Sequence, residues 1–190
     1  SNATNTDSIT DFVSGVDKLQ VTLDYSTLTT ALDINAVRSS AGVAGTTLAQ
    51  DSLSGQRGQY VYDTDSSSLF VNFNADNLLT TSDYKIGINA ASTATASVVE
   101  GDINFVVTGG TNADTITTGG GADTIDGGTG ADLITGGAGA DSITAGTGAD
   151  TIVGGSGADT IVLGAAGDAD VIRYSQAAGA DGGATAAAAD

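Results

Sequence analysis

Aspartate recurs at every ninth residue through the second half of this chain, at Asp114, Asp123, Asp132, Asp141, Asp150 and Asp159. Each Asp follows a Gly-rich segment and precedes, two residues on, an Ile. No Lys or Arg occurs from residue 86 to residue 172. Carboxylates joined by the backbone carbonyls that Gly-rich loops expose, without nitrogen or sulfur donors, form the ligand set of a hard cation. Calcium fits this ligand set best.

The nine-residue unit indicates the elements that must position these carboxylates. The last three residues of each unit alternate polar, aliphatic, and polar or small, which predicts a short strand with one inward side chain. The inward row is Ile116, Ile125, Ile134, Ile143, Ile152 and Ile161. Because one three-residue strand cannot enclose a core, two units must form a flattened turn, and alternate units then stack at about 4.8 Å. This places Asp114, Asp132 and Asp150 along one edge and Asp123, Asp141 and Asp159 along the other.

The loops before the strands supply the remaining candidate ligands. Gly allows the positive φ angles that such short reversals need, and Asn112 is a common substitute for Gly in that conformation. A resumed repeat near the end of the chain adds Asp168 or Asp170 as a partner for Asp150. Besides these Asp residues, the predicted calcium ligands are Gly110, Asn112, Gly119, Gly121, Gly128, Gly130, Gly137, Gly139, Gly146, Gly148, Gly155 and Gly157.

The unit Gly127-Gly-Thr-Gly-Ala-Asp-Leu-Ile-Thr135 and its five neighbours resemble the RTX, or hemolysin-type, calcium-binding nonapeptide. The resemblance implies a calcium-bound parallel β-roll, a form of β-solenoid, in a bacterial protein that leaves the cell by type I secretion. Such a chain would stay unfolded in the calcium-poor cytoplasm and fold outside. RTX rolls occur in toxins, proteases, lipases, adhesins and surface-layer proteins, so the repeat does not name the parent protein.

Composition narrows the classes of function. The net charge of −18 argues against nucleic acid and anionic membranes as partners and favours cations. Cysteine and histidine are absent, which excludes disulfides, thiolate sites, zinc hydrolase motifs and Ser-His or Cys-His arrangements. We therefore expect no enzyme. Abundant Thr, Ala, Gly and Ser favour a secreted surface-layer or adhesin protein, with cell-surface polysaccharide or neighbouring copies as candidate partners.

Folding of the roll is expected to depend on the metal. Burial of one Ile per unit is small beside the backbone entropy lost on ordering all nine residues. We expect about four to five calcium ions in the roll, bound cooperatively because adjacent sites share loops. The chain should then be disordered without calcium.

The whole chain is predicted to be all-β, with a small β module before a C-terminal roll. Residues 1–3 have the form of a cleaved expression tag, residues 4–97 form the β-rich module, residues 98–175 the roll, and residues 176–190 a disordered Ala-, Gly- and Asp-rich tail. Val107 lies nine residues before Ile116, so the inward row is expected to begin one coil before the first complete unit. The chain is expected to be a fragment of a longer protein.

The module carries weaker signals. Asp7 to Leu19 resembles the segment that leaves the final coil of an RTX roll, and the likeness of residues 7–12 to residues 170–175 predicts further nonapeptides upstream. Strands are predicted at residues 19–23, 60–62, 69–73 and 84–88, and a short helix at residues 26–32. An EF-like loop at residues 72–83, and the pair Asp63 and Asp65, are interpreted as solvated turns rather than calcium sites.

Two other readings remain open. The chain could come from the C-terminal secretion region of a toxin or hydrolase, or it could be an ice- or polysaccharide-binding solenoid. The Asp residues that a polysaccharide enzyme would need are already assigned to metal. The outward rows are also mixed, since Thr115 and Thr117 stack against Leu133 and Thr135, whereas ice binding favours regular Thr rows.

Overall fold

The computed structural model describes residues 6–27, 33–35, 60–63, 68–71, 84–90, 100–174 and 185–187. Within these residues the regular structure consists of strands and one short 3-10 turn, Glu100–Asp102. No helix in these ranges is long and apolar enough to cross a membrane. The predicted all-β class is confirmed.

The strands fall into three sheets. In chain order they are β1 (Thr6–Phe12), β2 (Leu19–Asp24), β3 (Asp33–Asn35), β4 (Tyr60–Asp63), β5 (Ser68–Val71), β6 (Tyr84–Ala90), β7 (Ile103–Thr108), β8 (Thr115–Gly120), β9 (Thr124–Asp126), β10 (Leu133–Ala138), β11 (Ser142–Thr144), β12 (Thr151–Ser156), β13 (Thr160–Val162), β14 (Val171–Ile172) and β15 (Thr185–Ala187). One sheet has the order β1-β6-β5-β4, and its strands are mixed in direction. The other two sheets, β14-β12-β10-β8-β3 and β15-β13-β11-β9-β7-β2, are entirely parallel and form the roll.

The register of the roll follows from the repeat. Ile134 pairs with Ile116 on one side and Ile152 on the other, and Ile143 pairs with Ile125 and Ile161. Adjacent coils are thus eighteen residues apart. The predicted two-unit turn is confirmed, because only this arrangement gives each short strand a parallel neighbour on both sides.

The core of the roll is the inward row of Ile side chains. All six repeat Ile residues are buried, and Val107 is buried as well. Val107 pairs with Ile125, so the row does begin one coil before the first complete unit. Leu23 of β2 is fully buried and pairs with Val107, which extends the row by one further strand.

Two strands from the predicted N-terminal module lie in the sheets of the roll. β2 pairs in parallel with β7 along its whole length, and β3 pairs with β8. The alternating pattern predicted for residues 19–23 is confirmed, because Leu19, Val21 and Leu23 are buried and the residues between them are exposed. Residues 7–19 therefore lead into the first coil of this roll. The division at residues 97 and 98 and the presence of upstream nonapeptides stay predictions.

The remaining predicted strands of the module are present as β4, β5 and β6. β5 and β6 are antiparallel, and β1 adds to β6 in parallel. Leu69 and Val71 of β5 belong to the same buried cluster as the roll core. The predicted helix beyond residue 27, the EF-like loop at residues 72–83, and Asp65 lie outside the described residues.

At the far end the nine-residue phase is interrupted and then resumes. β14 pairs with β12, aligning Ile172 with Ile152. β15 pairs in parallel with β13. The edge of β13 offers backbone partners to this short strand. Disorder of the tail at residues 176–190 stays a prediction.

Candidate metal centre

The loops at the two edges of the roll depend on glycine at their second and fourth positions. Gly137 has a φ of 111° and Gly139 a φ of 134°, conformations that L side chains rarely adopt. A Cβ at either position would also strike the carbonyl oxygen one coil earlier, that of Gly119 or Gly121. The carbonyls that face the next coil in this way belong to Gly110, Asn112, Gly119, Gly121, Gly128, Gly130, Gly137, Gly139 and Gly146. Close coil stacking thus lines each edge with carbonyl oxygens.

The Asp residues form two continuous hydrogen-bonded rows. On one edge the N–H groups of Asp114 and Asp132 donate to Oδ1 of Asp132 and Asp150, respectively, both at 2.8 Å. On the other edge Asp123 donates to Asp141 at 2.9 Å. Asp141 in turn donates to Asp159 at 3.0 Å. The structure therefore brings the six predicted Asp residues together in the two rows expected from the sequence.

The second carboxylate oxygen, Oδ2, lacks a hydrogen bond in four of these Asp residues. All six repeat Asp residues are at most 2 % exposed. The Oδ2 atoms of Asp132, Asp141, Asp150 and Asp159 are buried and accept no hydrogen bond. A buried carboxylate oxygen without a partner is costly, because it has lost its water and gained nothing in return. These oxygens fit a cation.

The rows carry charge that the protein itself does not neutralise. Burial raises the pKa of Asp141 to about 7, although the N–H of Asp123 opposes the shift, and Asp123 and Asp159 add repulsion. Burial likewise raises the pKa of Asp132 to about 6, and repulsion by Asp150 contributes. Burial also raises the pKa of Asp150. In each case the environment disfavours the ionised form, as expected for stacked carboxylates that lack a counter-ion.

The first coil is built differently from the others. Phe105 lies one coil before Asp123, and its N–H donates to Asp123 Oδ1 at 2.7 Å. An apolar residue thus takes the place of Asp at the start of this row. On the other edge, Asp114 Oδ2 accepts the N–H of Gly110 from its own loop at 2.8 Å. The protein itself therefore supplies a donor to the first carboxylate of that row.

A second carboxylate near this end, that of Asp102, is held by the loop at residues 13–18. Asp102 is fully buried and lies 3.6 Å from the Lys18 ammonium. Its oxygens accept from the Ser14 hydroxyl at 2.6 Å and the Gly15 N–H at 2.7 Å. Lys18 also donates to the Gly101 carbonyl at 2.6 Å. The loop at residues 13–18 thus holds the start of the roll in place through these contacts.

The terminal coil supplies two carboxylates to the end of the Asp150 row. Asp170 Oδ1 accepts the N–H of Asp150 at 3.0 Å, and Asp168 Oδ2 accepts the N–H of Gly148 at 2.9 Å. Both predicted candidates therefore lie at this edge. Their partners are twenty residues earlier, because the interruption of the repeat adds two residues to this coil.

Backbone carbonyls are available as further ligands at these edges. Within the ranges that the structure describes, no three His, Cys, Asp or Glu side chains converge closely enough to hold a metal by themselves. An ion at these edges would combine carboxylate oxygens with the carbonyls of stacked loops. Oxygen donors of these two kinds suit calcium and do not suit zinc or copper.

These features define a class, the parallel β-roll with acidic, carbonyl-lined edges. The family model of the RTX calcium-binding nonapeptide repeat matches the chain in four copies, over residues 106–134, 127–161 and 135–170. The repeats of this chain are RTX calcium-binding nonapeptide repeats, and the roll that they form is a calcium-binding structural module. No curated protein and no solved structure matched the chain.

Sequence reasoning missed several residues at these edges. Phe105 could have been found by counting eighteen residues back from Asp123. Asn104, whose Oδ1 accepts the N–H of Ala122 at 3.0 Å, could have been found in the same way. Asp102 and Lys18 carried no such signal, because their contact joins segments more than eighty residues apart.

Proposed function

We propose that this chain is a calcium-dependent structural module of a bacterial protein exported by type I secretion, of surface-layer or adhesin type. The observation that carries the proposal is the set of buried, unpartnered Oδ2 atoms in the two rows, at Asp132 and Asp150 on one edge and at Asp141 and Asp159 on the other. Their desolvation opposes folding until a cation is bound, so the roll and its metal should form together.

The proposed ligands are the repeat Asp carboxylates and the loop carbonyls that stack around them. An ion between two coils can be shared by the Asp residues of both, since each Asp already contacts the backbone of the Asp in the preceding coil. About four to five ions would then occupy the two edges, and each would help to order the loops of its neighbour.

A structural role is favoured over catalysis by the burial of the carboxylates. An acid or base catalyst must come within hydrogen-bonding reach of its substrate. The repeat Asp side chains are at most 2 % exposed and are turned into the loops. The partners that we propose, apart from calcium, are cell-surface polysaccharide or neighbouring copies of the surface protein.

Circular dichroism tests the calcium-coupled folding. In chelator the signal of the parallel sheets should be largely absent, and it should rise cooperatively as calcium approaches the millimolar range of extracellular modules. Magnesium should substitute poorly because it demands octahedral geometry and dehydrates reluctantly. A roll that forms fully in chelator would contradict the proposal.

The location of the parent protein can be tested separately. If it belongs to a calcium-dependent surface structure, washing intact cells with chelator should release it into the medium, and calcium should prevent the release. A parent protein that is recovered only from the cytoplasm under both conditions would overturn the export proposal and leave calcium binding by the isolated roll unaffected.

A further inference from the structure

The first two strands of the six-stranded sheet are longer than the strands that follow them. β2 and β7 have six residues each and pair along their whole length, whereas β9, β11 and β13 have three residues each. The difference lies in the three residues before the repeat strand. Residues 103–105 are Ile-Asn-Phe and continue β7, whereas the later coils have Gly-Ala-Asp in the same place, at residues 121–123, 139–141 and 157–159. At its start the roll thus has strand where the later coils have an acidic loop.

The paired strands β2 and β7 bury apolar side chains more densely than the repeats do. Six of their twelve residues are buried and apolar, namely Leu19, Val21, Leu23, Ile103, Phe105 and Val107. A repeat buries one Ile in nine residues. Apolar burial is the main term that offsets the entropy of ordering the backbone. Each ordered residue of β2 and β7 is therefore better supported by the protein itself.

The buried charge beside these strands is compensated by side-chain and backbone donors. Asp102, which precedes β7 directly, is fully buried and accepts hydrogen bonds from the Ser14 hydroxyl and the Gly15 N–H. The Lys18 ammonium lies 3.6 Å away and brings a positive charge to residues 86–172, which contain no basic residue of their own. These contacts form a clamp of residues 14, 15, 18 and 102. By contrast, the Oδ2 atom of Asp141, like those of three other repeat Asp residues, is buried without a hydrogen bond.

We propose that β2, β7 and the clamp form a starting unit that is ordered before calcium binds and on which the roll is built. β7 then offers its edge to β9, with which it pairs over residues 106–108, and the later coils are added from this end as they bind calcium. The inference rests on the proposed calcium-coupled folding of the repeats. It restricts the requirement for calcium to the coils from β9 onward.

Hydrogen–deuterium exchange of the whole chain, followed by mass spectrometry, tests the starting unit. In chelator the amides of β2 and β7 should be protected, whereas those of β9 to β13 should exchange at the rate of an unfolded chain. Exchange of β2 and β7 as fast as that of β9 to β13 would overturn the starting unit and leave calcium-coupled folding intact. Protection of β9 to β13 in chelator would instead overturn the proposed calcium coupling, and the starting unit with it.

Two substitutions examine the clamp in the same experiment. Asp102→Ala should reduce the protection of β2 and β7 in chelator by about 10- to 100-fold, because it removes a buried charged acceptor. The control is Asp24→Ala, since Asp24 lies at the end of β2 and is exposed. The control should retain most of the protection. Equal protection in the two variants would count against the clamp as part of the starting unit.

A second matched pair asks whether the starting unit is independent of the repeats. Leu23 and Ile161 are both fully buried, and their replacement by Ala removes the same number of carbon atoms. In chelator Leu23→Ala should abolish the protection of β2 and β7, whereas Ile161→Ala should leave it unchanged. If Ile161→Ala lowers this protection as much as Leu23→Ala does, the two strands are not a separate unit and the inference fails.

Discussion

Replacing Asp141 by Asn removes one charge from the middle of a carboxylate row and keeps the local hydrogen bonding. The Oδ1 atom of Asp141 accepts the N–H of Asp123 at 2.9 Å, and the amide oxygen of Asn can accept it in the same way. The side chain is 2 % exposed, so its charge is costly in the calcium-free roll. The variant should therefore be no less ordered than the unaltered chain in chelator.

When calcium is present, the same substitution should destabilise the roll instead. As proposed, Asp141 contributes to the site that it shares with Asp123 and to the one that it shares with Asp159. Loss of a hydrogen-bonding or ligand contact to a charged group costs about 1.5–3 kcal/mol. Because each 1.4 kcal/mol is a factor of ten, the calcium midpoint should rise by about 10- to 100-fold. Asp141→Ala should destabilise the calcium-loaded roll by about a further 1–3 kcal/mol, since it removes the acceptor of the buried Asp123 N–H.

The assay is a calcium titration followed by circular dichroism, with Asp126→Asn as the matched control. Asp126 lies in the same part of the roll but is exposed, and its Oδ1 accepts the Gly128 N–H at 3.1 Å, a bond that Asn can retain. The control should shift the midpoint little. Equal shifts in the two variants would refute the reasoning, because they would show that general charge rather than ligation sets the midpoint. Asp114→Asn should give a smaller shift than Asp141→Asn, since Asp114 begins its row.

Three further predictions follow from the same geometry. Gly137→Ala should destabilise the calcium-loaded roll by about 1–3 kcal/mol, because the residue has a positive φ and its Cβ would clash with the Gly119 carbonyl. The control Gly101→Ala should be nearly neutral, since nothing lies within 4 Å of its Cβ. Thermal unfolding measures both variants. Asp102→Ala should free the loop at residues 13–18 and increase its cleavage by trypsin even in saturating calcium; unchanged cleavage would contradict the clamp. The raised pKa values of Asp132 and Asp141 favour the protonated roll, so without calcium its stability should be greatest in acid and decline as the pH rises through about 6 to 7. Dichroism of the metal-free chain between about pH 5 and pH 8 checks the direction, and stability that rises with pH would be the opposite result.

The repeat itself allowed the roll to be predicted from the sequence. A nine-residue period with one Ile and one Asp per unit has only one compact solution, because each short strand needs parallel neighbours and each Ile needs an interior. The pairing of Ile134 with Ile116 and Ile152 follows directly from that period. The two rows of Asp follow from the same count, and so does the choice of a hard cation.

The hydrogen-bond partners of each carboxylate oxygen could not be predicted from the sequence. That Asp132 Oδ1 accepts a backbone N–H while its Oδ2 has no partner depends on the close approach of coils, which no single unit encodes. The hydrogen bond from the Thr118 hydroxyl to the Gly136 carbonyl likewise exists only once the next coil is in place.

Which strand pairs with β7 at the start of the roll depends on tertiary contacts. Leu19 pairs with Ile103, and Asp102 is held by Ser14, Gly15 and Lys18, although more than eighty residues separate the two segments. The alternation of β2 predicts a half-buried strand but does not specify its neighbour. A periodic sequence determines its own partners because every coil repeats the last, whereas the first coil must find a partner through long-range contacts that leave no local pattern.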